Sequence, residues 1–197
     1  MTSKFSHMLS KVVLGGFSIY FIYLVLNTIL ISNRRHISTS DGIYINSIQE
    51  SRKLYKLANI LTKHCLTQEC KVQSILDYVT NIPYKINHFR ANSPQQTIQK
   101  NFGDCDDKSN LLASLLHEIN IKSYFVLVPK HIFVIVPLPK IKNKKALYIN
   151  NKPYYILETT AENSLIGFPL HYRLSEIKAI IEPFENKKID IKTIEYK

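Results

Sequence analysis

The chain has 197 residues, 45% of them hydrophobic, which is enough for one packed core of ordinary size and too little for two large domains. With 5 glycines, 8 prolines and 21% charged residues it is not collagenous, low in complexity or disordered. Its 26 Lys and Arg against 15 Asp and Glu give a net charge of +11, a field that attracts anions without saying what is done to them.

The first feature in chain order is Val12 to Asn33, a run without charge between Lys11 and Arg34. At about 1.5 Å per residue it crosses the roughly 30 Å hydrocarbon layer as one helix. A cleaved signal peptide would have a shorter apolar stretch and a small-x-small exit. This run leaves through Leu30-Ile31-Ser32-Asn33, so residues 1–33 read as an uncleaved single-pass anchor. Lys4 and Lys11 on one side nearly balance Arg34 and Arg35 on the other, so charge counting does not orient it. Residues 34–43 read as a polar tether and 44–197 as the domain. Beyond residue 32 the balance is 24 bases (26 less Lys4 and Lys11) against all 15 acids, so the basic bias belongs to the domain. No Arg-rich helix or aromatic-basic motif accompanies it. No nucleic acid is therefore expected, and an anionic partner is left open.

Ile48, Leu54, Leu57, Ala58 and Leu61 recur at helical spacing, as do Val72, Ile75, Leu76 and Val79, predicting two amphipathic helices. Between them lie His64, Cys65 and Cys70. Three states are open there: a disulfide across the helix turn, a zinc site, or two reduced thiols. Ser93-Pro94-Gln95-Gln96 has a cap residue, a proline at the first helical position and a glutamine three after the cap, predicting a short helix. From Asp104, Leu111, Leu112, Leu115, Leu116 and Ile119 mark one face of a helix closing near Asn120.

The chain after Asn120 reads as sheet. Ser123–Val128 and Ile132–Val136 are β-branched or aromatic runs separated by Pro129-Lys130-His131. Ala146–Ile149 and Tyr154–Leu157 flank a turn at Asn150-Asn151-Lys152-Pro153. Their near-continuous hydrophobicity implies cover on both faces, with helices the obvious cover. Leu174–Ile181 is compatible with a helix and Lys188–Tyr196 with a last strand. Helices followed by antiparallel strands are the α+β pattern.

The chemistry converges on Cys105, at the start of the apolar helix, where helix N-terminal amides favour a thiolate and can stabilise an oxyanion. Asp104, Asp106 and Asp107 oppose that charge, so a cation is needed nearby. His131 stands just before a buried strand, and Glu158 ends another. If those strands run antiparallel side by side, His131 and Glu158 meet, as base and orienting acid. The Cys105 N–H is one oxyanion donor, with Asn101 or Tyr84 as candidates for a second.

These residues carry a resemblance. Gly103-Asp104-Cys105-Asp106-Asp107-Lys108-Ser109-Asn110-Leu111-Leu112, with Leu115-Leu116 and Asn120-Ile121, looks like the cysteine block of the transglutaminase-like superfamily. His131 to Val136 resembles its histidine strand and Tyr154 to Thr160 its acid strand. Looser similarity reaches back through Ile82-Pro83-Tyr84 and Ser93-Pro94, over about residues 70–165. The resemblance implies a papain-like or transglutaminase-like core, helices on an antiparallel sheet, behind one transmembrane helix. It implies Cys105 as nucleophile, His131 as base and Glu158 as orienting acid, acting by thioester acyl transfer on a protein or peptide substrate without cofactor or metal. The family usually has Asp where Glu158 stands, and Gly where Asn120 stands. The expected setting is a bacterial cytoplasmic membrane, with the domain facing outward. The rival is an inactive copy of the fold serving as a membrane-tethered binding or scaffold module.

Overall fold

The computed structural model describes residues 2–32, 36–39, 42–87 and 91–197; Arg34, Arg35, Ser40, Asp41 and His88 lie outside them. The chain divides after Arg34 into two compact units. The first holds one helix, α1 (Thr2–Ser32), which contains a stretch, His7–Leu26, long and apolar enough to cross a membrane.

The second unit opens with β1 (His36–Thr39) and β2 (Gly42–Ile45), an antiparallel hairpin formed in the stretch expected as tether. The chain then runs without helix or strand to α2 (Arg52–Thr62), so Ile48 is buried without belonging to a helix, unlike the periodicity suggested. The backbone N–H groups of Ser47, Gln49 and Ser51 donate to Asn110 (2.9 Å), Ser114 (3.0 Å) and Glu118 (2.6 Å). Alternate amides of this stretch thus meet every fourth side chain of the helix Cys105–His117 and its C-cap Glu118. A stretch without secondary structure of its own is thereby fixed to a helix.

Ser51 caps α2 and Thr67 caps α3 (Gln68–Thr80), whose Val72, Ile75, Leu76 and Val79 are fully buried. Cys65 and Cys70 are joined in a disulfide across the turn between these helices, which removes both from the zinc alternative. α4 (Pro94–Lys100) begins with a complete capping box of Ser93 and Gln96 and ends at Asn101 in the left-handed conformation. α5 (Cys105–His117) is the central helix, buried from Asp107 through Leu116. Its polar side chains there are structural. Lys108 donates to the carbonyls of Thr80 (3.2 Å) and Ile82 (2.8 Å), tying α5 to the end of α3. Burial pulls Lys108 down to about 8, against the attraction of Glu158.

β3 (Tyr124–Val128), β4 (His131–Pro137), β5 (Leu147–Ile149), β6 (Lys152–Leu157), β7 (Ala179–Glu182), β8 (Lys187–Lys188) and β9 (Ile194–Tyr196) form one antiparallel sheet in the order β8-β7-β3-β4-β6-β5-β9. The β5–β6 turn is the Asn150-Asn151 pair, both with positive φ, as a two-residue hairpin turn requires. The α+β class is the observed one. The tail differs from expectation: Leu174–Glu176 is a single 3-10 turn followed by β7, and the last stretch splits into β8 and β9.

Both sheet faces are covered, by different means. Phe125, Leu127, Val134 and Leu157 pack under the helices. Val126, Phe133, Ile135 and Ile156 face the other way, where the cover is irregular C-terminal chain carrying Phe168, Leu170 and Tyr172 rather than helices.

Candidate active site

Cys105 is the first residue of α5, and Asp104 is its cap. One Asp104 oxygen accepts the amides of Asp106 (3.1 Å) and Asp107 (3.2 Å), the other that of Asn87 (3.0 Å). The cap takes those amides and not the Cys105 N–H. Asp107 is held by the Asn92 amide nitrogens, at 2.5 Å from the backbone and 2.7 Å from the side chain. A strand-like bridge between Tyr84 and Gly103 delivers the chain to the cap. Gly103 is needed for close approach: a Cβ there would sit 2.7 Å from the Asp107 Cβ.

Two of the three acids are thus held in place by hydrogen bonds. Burial, then the charges of Asp104 and Asp107, push Asp106 up to about 6, while His131 pulls it down. Asp104, Cys105 and Asp106 place ligand atoms within 4.8 Å of one another, a spacing compatible with a cation. The Asp104 oxygens are already committed to three amides.

His131 opens β4 after the two-residue turn Pro129-Lys130, at the rim of the sheet. β4 and β6 pair antiparallel with Val134 opposite Leu157. Continued by one residue, that register puts Phe133 opposite Glu158, so His131 and Glu158 are diagonal neighbours on one face. Such positions lie about 7–8 Å apart in backbone terms, and the longer arm of Glu closes the gap. His131 Nε2 and Glu158 Oε2 are 2.9 Å apart. The other Glu158 oxygen accepts the Thr160 N–H (2.9 Å) and hydroxyl (2.6 Å).

Cys105 meets the same imidazole from α5, with Nδ1 the ring nitrogen left for its sulfur. Burial alone would lower His131; the hydrogen bonds and charges of Cys105 and Glu158 outweigh it and raise the ring to about 10. Glu158 is likewise pushed up by burial and brought below its ordinary value by His131 and Thr160. The structure therefore places Cys105, His131 and Glu158 in one cluster, the His131 and Glu158 side chains only 17% and 12% exposed.

His131 separates two cavities. One, of about 330 Å³, is walled by Cys105, Asp106, Tyr44 and Lys130 and by the β1–β2 hairpin. The other, of about 400 Å³, lies beyond the ring, lined by Phe133, Ile156, Phe168, Leu170 and Tyr172. The Tyr172 ring stacks on His131 at 6.0 Å and 17°.

Sequence reasoning missed two residues here. Tyr44 packs edge-on against Phe125, and its hydroxyl is buried with no hydrogen bond of proper geometry among the described residues. Burial, then Asp106 and Cys105, push it well above the ordinary phenol value, while the Asn110 amide acts the other way, so it stays an O–H donor. Tyr172 belongs to the C-terminal cover. Neither has a spacing signal, since each is brought in by long-range packing. Of the donors considered from sequence, Asn101 closes α4, and Tyr84 is half exposed beside Gly103.

The family model of the transglutaminase-like superfamily matches residues 55–132, a span that takes in Cys105 and His131 and ends before Glu158. No curated protein matches the chain. Among solved structures, the chain is similar to a proposed cysteine protease from Cytophaga hutchinsonii at 19% identity and a TM-score of 0.48, covering 76% of this chain and 53% of that one. It is also similar to a proposed protease from Parabacteroides distasonis (13% identity, TM-score 0.45, covering 72% and 28%) and to Legionella pneumophila LapG (12%, 0.40, 67% and 82%). The chain thus spans about half the length of the first and just over a quarter of the second.

Proposed function

We propose, taking residues 55–132 as a transglutaminase-like core, that the protein is a membrane-anchored cysteine hydrolase working by thioester acyl transfer on peptide or glutamine amides. The observation that carries this is the shared imidazole, tied to a fixed carboxylate at 2.9 Å and interacting with Cys105, both of which favour its protonated form. A charged imidazole is the counter-ion a thiolate nucleophile needs.

The Cys105 sulfur attacks the carbonyl carbon, and the oxygen takes up negative charge beside the Cys105 N–H and the Tyr44 hydroxyl. His131 gives its proton to the departing nitrogen as the C–N bond breaks, leaving an acyl-thioester and a neutral imidazole. Water then attacks the thioester, His131 takes its proton, and the C–S bond breaks to release acid and thiolate. Glu158 keeps the ring in register throughout. An inactive scaffold would be favoured by a carboxylate out of reach of His131 or by a filled cleft; the 2.9 Å pairing and the cavity beside Cys105 favour the enzyme.

The α1 helix anchors the domain to the cytoplasmic membrane as a single pass, and the Cys65–Cys70 disulfide supports an oxidising, outward-facing side. The test is acylation by p-nitrophenyl acetate at neutral pH. A stoichiometric burst of p-nitrophenolate that Cys105→Ala abolishes is the expected result. An equal burst from both proteins, or none from either, contradicts the proposal.

A further inference from the structure

We infer that the cavity beyond His131 receives a large apolar side chain on the amine side of the scissile bond, which makes the substrate a peptide rather than a free carboxamide. The inference rests on the acyl-transfer reading and adds the substrate class to it.

Because Glu158 holds Nε2, His131 Nδ1 must serve both the sulfur and the leaving nitrogen, so both reacting atoms sit at that edge of the ring and the leaving chain continues past it. The cavity holding Cys105 and Tyr44 is the acyl side, because the carbonyl carbon has to sit on the sulfur and its oxygen beside the donors. The second cavity shares His131 and does not include Cys105, so a chain leaving through the nitrogen enters it. Its volume, about 400 Å³, lies within the roughly 300–1,000 Å³ of ordinary ligand pockets.

The walls decide the chemistry of the occupant. Phe133, Ile156, Phe168, Pro169 and Leu170 are apolar, and Tyr172 turns its ring face along His131. Apart from Tyr172, the ionisable side chains in the wall are His131, Glu158 and His171, and both Glu158 oxygens are engaged, by His131 and Thr160. A carboxylate there would compete with Glu158 for the one imidazolium already paired, whereas a Leu- or Phe-sized side chain buries apolar surface against Phe133, Ile156, Phe168 and Leu170. Release of ammonia would leave this cavity unused.

The test needs no knowledge of the acyl side. The acetyl-enzyme formed from p-nitrophenyl acetate is offered an equimolar mixture of leucinamide, phenylalaninamide, glycinamide and aspartic acid α-amide. The amine nitrogen attacks the thioester carbon, His131 takes the proton, and the C–S bond breaks to give an N-acetyl amide, weighed by mass spectrometry. Ratios are divided by those from a small-molecule acetyl thioester, which removes intrinsic nucleophilicity.

The leucine and phenylalanine products are expected at least about 10-fold above the glycine and aspartate ones, the discrimination an apolar pocket supplies. Leu170→Ala should bring the ratio to within about 3-fold of unity, and Phe168→Ala does the same if the first variant fails to fold. A burst followed by capture at intrinsic ratios, by capture favouring aspartate, or by no capture overturns this inference and leaves the hydrolase reading standing. Absence of any burst overturns that reading and this inference with it.

Discussion

The two sides of the sheet hold the same imidazole by different physics. On the helical side Cys105 is surrounded by hydrogen-bonded polar groups: the Asp104 cap, the Asn92–Asp107 clasp, the Lys108 bonds at the end of α3, and the three side chains gripping residues 47–51. On the other side the ring is bounded by aromatic and aliphatic side chains from chain without regular structure. A nucleophile has to be fixed, and a hydrogen-bonded helix end fixes it. A site that accepts a side chain needs room, and apolar packing around a cavity leaves room.

That contrast breaks most severely where the two sides are joined. Glu158→Gln keeps the shape but removes the charge that orients His131, and should lower turnover roughly 10³-fold with little change in KM, measured as steady-state ester or peptide hydrolysis. Next, Tyr44→Phe removes a donor and almost no volume. It should slow the p-nitrophenolate burst about 10²-fold while alkylation of Cys105 by iodoacetamide, which develops no oxyanion, changes less than about 3-fold.

Smaller effects sharpen the contrast by leaving chemistry aside. Lys108→Met leaves the Thr80 and Ile82 carbonyls without their donor and should cost about 2 kcal/mol in urea unfolding. A further prediction concerns pH dependence. His131 is raised in the fold to about 10 from about 6.5 in the unfolded chain, so its stabilisation is complete below pH 6.5 and is lost as pH rises toward 10. Glu158 is lowered, so its contribution is present above the ordinary carboxylate range and is lost as pH falls below it. The Tm gap between wild type and His131→Gln should be widest near pH 5–6.5 and close by pH 10. A gap constant with pH would place no charge on the ring.

Much of the fold was legible because local chemistry decided it. Ser93-Pro94-Gln96 starts a helix anywhere, Val72, Ile75, Leu76 and Val79 mark a helical stripe, and Asn150-Asn151 tolerates the positive φ of a tight hairpin. Long-range partners decided the rest. Ile48 has helical spacing to α2, but its neighbours' amides are claimed by Asn110, Ser114 and Glu118. Those three, at intervals of four on α5 and its C-cap, were a readable stripe. Leu174–Ile181 is apolar enough for a helix, and pairing with β3 draws its end into the sheet. In the site, the order of cysteine, histidine and acid was in the letters. The strand register that makes Glu a fit for the diagonal was not, and neither was Tyr44, delivered by the hairpin.

The central claim is that His131 supplies the positive charge facing the Cys105 sulfur, and the most direct test is the rate of Cys105 alkylation by iodoacetamide between pH 5.5 and 9 in wild type and His131→Gln. Wild type should react at least about 10-fold faster than the variant at pH 6.5, with the two profiles differing in shape. Superimposable profiles would contradict it.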